Sequence, residues 1–157
     1  MNTRRERRND VGFLFLSLAL VWLAGFWTAK AVSIDPSHRY YQDAMRSPDV
    51  SWVRNERLEA ISDEEWEKFL PLCPDFVLEL RSPSDPLRVV QKKMEEYMGN
   101  GARLGWLLDP ARRQVHLYRP RARPQVLENP ENLPGEPVLN RFVLDVRQVW
   151  AAMARRK

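Results

Sequence analysis

The sequence predicts an α/β or α+β domain built on a mixed β-sheet flanked by helices. Three observations carry that reading. Period-two alternation marks strands in "DFVLELRS" (75–82) and "QVHLYR" (114–119). Between them, Leu87, Val90, Met94 and Tyr97 form an apolar stripe at helical spacing. The segments follow the order strand, helix, strand, helix, three strands, helix, with no internal repeat and no low-complexity stretch. At 157 residues, 44% apolar and 29% charged, the chain is long enough for one ordinary hydrophobic core.

The N-terminus reads differently from the rest. Val11 to Trp27 carries no charge, and Thr28 and Ala29 extend the run close to the ~20 residues of a membrane-spanning helix. Arg4, Arg5, Arg7 and Arg8 precede it. Residues 11–29 are therefore expected to form an apolar helix. The readings open are a membrane anchor, a cleaved signal peptide (Ala29-Lys30-Ala31 resembles a small-residue cleavage site) and a non-targeting segment. Met45 leaves an internal start conceivable. The expected organisation is a basic and apolar segment at 1–31, a linker at 32–45 and a folded domain at 46–157. The protein would be cytoplasmic, or membrane-anchored if the apolar segment inserts.

Within the domain, "SPDVSWVR" (47–54) is a short strand candidate. "NERLEAISDEEWEKFLPL" (55–72) reads as one helix or two, with a Ser62–Glu65 capping box, an apolar stripe of Trp66, Phe69 and Leu70, and Pro71 as the stop. In the 75–82 strand, Phe76, Leu78 and Leu80 share one face, and Asp75, Val77 and Glu79 share the other. "SPSDP" is a turn, and the helix after it stops at Gly99-Asn100-Gly101. "RLGWLLD" (103–109) is a buried strand, "PARR" a tight turn and 114–119 its hairpin partner. "QVLEN" (125–129) is a further strand candidate, followed by a short strand around Phe142 and a helix from Asp145.

Charge excludes a global nucleic-acid field. The net charge is +4, but residues 1–30 carry five Lys/Arg against two acids, leaving 20 against 19 in the remainder. Any contact with nucleic acid must use a local patch. The arginines around the hairpin, Arg112, Arg113, Arg119, Arg121 and Arg123, are candidates for phosphate contacts, set against a solvated loop. Cys73 is the sole cysteine, so no intrachain disulfide is possible, and its apolar flank reads as core. His38 and His116 show no metal-ligand spacing.

The chemistry concentrates on Glu79, a carboxylate in the middle of an apolar strand. Unpaired and buried, it would cost several kcal/mol or become protonated. Asp75 lies about 13 Å along the same strand, too far to share an ion with it, and reads as a turn residue. Asp49 opens the 47–54 strand, and if that strand neighbours Glu79's, the two acids converge. On the helix, Lys92 aligns with Arg88 and Glu96 on the solvated face. Lys93 lies three residues after Val90 and four before Tyr97, on the packed side. Its amine either snorkels to water or meets Glu79. Two carboxylates and water form a hard oxygen site suited to Mg²⁺ or Mn²⁺, and an ammonium beside it can orient water or offset phosphate charge. That is a minimal kit for phosphodiester hydrolysis.

The blocks "SPDVSWV", "LCPDFVLELRSPSDPLRVVQKKMEEYMGNGARLGWLLDP", "QVHLYRP" and "LPGEPVLNRFVLDVRQVW" resemble the Uma-two family of endonucleases, within the PD-(D/E)XK restriction-endonuclease-like superfamily. The resemblance covers residues 46–150. It implies a restriction-endonuclease-like core, with Asp49 and Glu79 as metal-binding acids and Lys93 as the catalytic lysine. It further implies Mg²⁺ (or Mn²⁺) as cofactor, nucleic acid, above all DNA, as partner, and a possible homodimer. Members of the family usually carry a longer N-terminal part with further strands and an extra acid. No counterpart is legible in residues 1–45, so the N-terminus reads as truncated and replaced. The expected function is a Mg-dependent endonuclease. The alternative is a catalytically dead, membrane-tethered binding or interaction module.

Overall fold

The structure, a computed structural model, describes residues 13–16, 32–33, 48–62 and 70–154. Its centre is a six-stranded mixed sheet in the order β1-β3-β5-β6-β7-β8. The strands are β1 (Phe13–Leu16), β3 (Val50–Val53), β5 (Phe76–Leu80), β6 (Leu104–Asp109), β7 (Gln114–Tyr118) and β8 (Gln125–Glu128). Only β5 and β6 run parallel; the other neighbours pair antiparallel. A parallel pair needs a crossover, and the helix Leu87–Gly99 supplies it. That helix is α2, after the short α1 (Asn55–Glu59); α3 (Val146–Ala154) closes the described chain. Two small ladders complete the fold: parallel β2 (Val32–Ser33) with β4 (Leu70–Pro71), and antiparallel β9 (Asn132–Pro134) with β10 (Val143–Asp145). The mixed sheet and its flanking helices match the expected fold class.

The strand alternation divides the core in two. Phe76 and Leu78 of β5, Trp106 and Leu108 of β6, and Val115 and Leu117 of β7 face a cluster closed by Leu133, Leu139, Val146 and Trp150. Phe76 meets Trp106 edge-on at 4.9 Å between ring centroids. The opposite face carries Val77, Leu107 and Tyr118 against Val90, Met94 and Tyr97 of α2. The stripe expected on this helix is thus its buried face. Gly105 allows the close approach: a Cβ there would lie 2.6 Å from the Met94 methyl and 3.0 Å from that of Met98. Cys73 is a buried core residue whose thiol burial pushes up to about 12.

Two expectations change. Within the apolar stretch read as a helix, Phe13–Leu16 is an edge strand paired with β3, from Phe13 opposite Val53 to Leu16 opposite Val50. The rest of residues 11–29 lies outside the described residues. Among the described residues no helix is long and apolar enough to cross a membrane. The physical reason is that a short apolar run suits a sheet as well as a helix, and pairing with β3 satisfies its backbone. Leu70, expected on a helical stripe, instead pairs with Val32 in a two-residue strand. Trp66, Phe69 and the partner of the Ser62 capping box fall outside the described residues.

Candidate functional site

The register of the sheet brings the predicted acids together. β3 and β5 pair Val50 with Leu78 and Ser51 with Val77. Continuing one step sets Asp49 across from Glu79, on the face that α2 covers. Asp49 Oδ2 accepts a hydrogen bond of 2.7 Å from the Leu80 amide. This fixes the Asp49 side chain against the strand that carries Glu79 and leaves its other oxygen for a ligand.

Glu79 is 5% exposed and held by two residues of α2. Lys93 Nζ lies 2.8 Å from Oε1 and 2.9 Å from Oε2, and Tyr97 Oη donates to Oε1 at 3.1 Å. Lys93 is therefore paired with Glu79, not snorkelled away from it, and Lys92 is exposed. Burial pushes the Glu79 carboxyl up from 4.5 to about 7. Lys93 pulls it down by charge and by hydrogen bond, Asp49 repels its ionised form, and the Tyr97 hydroxyl favours that form. A carboxyl poised near neutrality beside an ammonium is a feature of sites that handle protons or cations.

Among the described residues no three His, Cys, Asp or Glu side chains converge. The two carboxylates that the β3–β5 register sets opposite each other are Asp49 and Glu79. That donor set fits Mg²⁺ or Mn²⁺, which take one or two carboxylates and keep several waters. His116 stands in the same cross-strand row, two strands from Glu79 through Leu107. At roughly 10 Å it cannot share an ion with Glu79; burial lowers its pKa.

The other acids have separate tasks. Asp75 is buried and accepts from the Arg54 amide, Arg54 Nε and Arg57 Nη1, tying α1 to β5 at the far end of the strand. Its neighbouring prolines suggested a turn residue, and no spacing pointed to the two arginines. Asp109, at the end of β6, is fully buried and accepts two hydrogen bonds from Arg81 Nη1, at 2.9 and 3.0 Å. Arg112 approaches it at 3.4 Å. The sequence carried one signal for this cluster: an acid closing five apolar positions must find a cation.

The candidate phosphate-binding arginines fall into two groups. Arg112 and Arg113 lie in the β6–β7 turn, at the end of the sheet that holds Glu79 and Asp109. Arg119, Arg121 and Arg123 follow Tyr118, which pairs with Gly105 at the opposite end. All five are exposed.

The sequence model of the Uma2 family, described as "Putative restriction endonuclease", matches residues 2–147. The match takes in β1 and the N-terminal stretch for which no counterpart was legible. Among solved structures, the chain is similar to the crystal structure of a "putative nuclease belonging to DUF820" from Anabaena variabilis ATCC 29413. The two share 22% identity at a TM-score of 0.57, over 68% of this chain and 60% of that one. The chain thus spans about 60% of that structure's length, and the likeness is one of fold. No curated protein matches the chain.

Proposed function

We propose that the chain, which belongs to the Uma2 family, is a divalent-metal-dependent nuclease hydrolysing phosphodiester bonds of nucleic acid, with DNA as the foremost substrate. The carrying observation is the buried Glu79, bound by Lys93 at 2.8 Å and opposite Asp49 in the strand register. A bound Mg²⁺ or Mn²⁺ would supply Lewis-acid activation of a phosphoryl oxygen and of water.

The chain's own residues account for the rest. Asp49 and Glu79 would hold the cation, each from a strand fixed in the sheet. Tyr97 keeps the Glu79 carboxylate oriented from the buried side. Lys93 now compensates Glu79. With a cation sharing that carboxylate, its ammonium would hydrogen-bond the attacking water or offset the charge building on the phosphate. Glu79 is the last residue but one of β5, near the carboxyl end of a parallel strand, the end at which open α/β sheets bind ligands.

The test is nicking of supercoiled plasmid by the full chain with Mg²⁺, Mn²⁺ or EDTA. Metal-dependent nicking by the wild type, abolished in Glu79→Ala with the fold retained by circular dichroism, is the expected result. Nicking that survives Glu79→Ala contradicts the assignment.

A further inference from the structure

We infer that Arg81 and Arg112, gathered by the buried carboxylate of Asp109, form a subsite for a backbone phosphate of the substrate beside Glu79. The inference deepens the nuclease reading and rests on it for the identity of the anion. Arg81 follows Glu79 by two residues, so it projects from the same sheet face about 7 Å further along. Its guanidinium is fastened at two of its three nitrogens: Nε donates to the Asp85 carbonyl at 2.9 Å, Nη1 donates to both Asp109 oxygens, and the side chain is 14% exposed. Nη2 has no partner among the described residues. A guanidinium pinned in this way presents its remaining N–H groups in one direction, at little further cost in side-chain entropy.

Arg112 adds a second cation. Its amide and its Nη1 both reach Asp109 at 3.4 Å, and the side chain is 54% exposed. One carboxylate thus organises two guanidinia, and the cluster keeps one net positive charge. Arg113, next in the turn, has no side-chain partner among the described residues and adds another charge at the same end. Planar guanidinia match phosphate oxygens in pairs. A strand of nucleic acid whose scissile phosphate reached Glu79 would bring a neighbouring phosphate to this cluster. Asp109 acts as the positioning residue, buried and out of reach of solvent.

Binding in EDTA separates this subsite from metal chemistry. A short fluorescein-labelled DNA duplex is titrated with the full chain across a salt series, using the wild type, Arg81→Gln, Arg112→Gln and Arg103→Gln. Arg103 is exposed and sits at the other end of β6. Arg81→Gln and Arg112→Gln are each expected to weaken binding by roughly 3- to 10-fold at low salt and to flatten the log–log salt slope by about 0.9, the loss of one phosphate contact. Arg103→Gln should match the wild type. Because Arg112 is largely exposed, its variant keeps the test valid if Arg81→Gln unfolds. Wild-type affinity and slope in Arg112→Gln and in a folded Arg81→Gln would overturn the subsite, as would a wild type that does not bind the duplex. Weakened binding in these variants alongside nicking that survives Glu79→Ala would uphold the subsite and remove the nuclease assignment.

Discussion

Glu79 makes the stability of the domain depend on pH in a definite direction. Burial holds its pKa at about 7 against 4.5, so the folded chain binds this proton more tightly than the unfolded chain. The resulting stabilisation is fully present below pH 4.5 and is lost as pH rises through about 7. Glu79→Gln keeps the shape and cannot ionise. At pH 8 it should be more stable than the wild type by roughly 3 kcal/mol, the worth of a shift in which the pull of Lys93 is already contained. At pH 4 the two should be nearly equal. Thermal unfolding at both pH values checks this, and a variant less stable at pH 8 contradicts it. The choice of Lys93 over Lys92 was legible in the sequence, because helical spacing decides which lysine faces the sheet. The hydroxyl of Tyr97 was not: periodicity assigns a residue to a face without saying what its polar atom touches there. Asp75 and Arg81 were illegible for a related reason, since their partners sit on other elements.

Among elements, those with a strong period were read correctly, and those defined by partners were not. α2, β5, β6 and β7 each carry an unbroken apolar pattern. The sequence of β1, "FLFL", carries no period at all, and its strand character comes from the open edge of β3. β9 is three residues beside prolines, and only β10 makes it a strand. The pairing of β1 has a measurable role. Removing residues 1–31 would leave the edge of β3 unpaired and open to other chains. A chain lacking residues 1–31 is expected to melt several degrees lower and to self-associate, seen by scanning calorimetry and light scattering. An unchanged melting temperature would mean that β1 contributes nothing to the sheet.

On the scale of the molecule, Glu79 and Lys93 come from one continuous β5-α2-β6 unit at the middle of the sheet, only 14 residues apart. Asp49 must arrive from 31 residues before its hydrogen-bond partner Leu80. Closing a short crossover loses little chain entropy, so the half of the site contributed by this unit can form early in folding. The same unit should open last. In hydrogen exchange, the amides of Val77, Leu78 and Leu107 are expected among the slowest, exchanging only by global unfolding, and those of β8 among the fastest. Early loss of protection at Leu107 would contradict this order. The nascent chain would accordingly seat its acid–lysine pair on a formed nucleus, and the docking of β3, with Asp49 at its head, would be the later event that completes the proposed cation site.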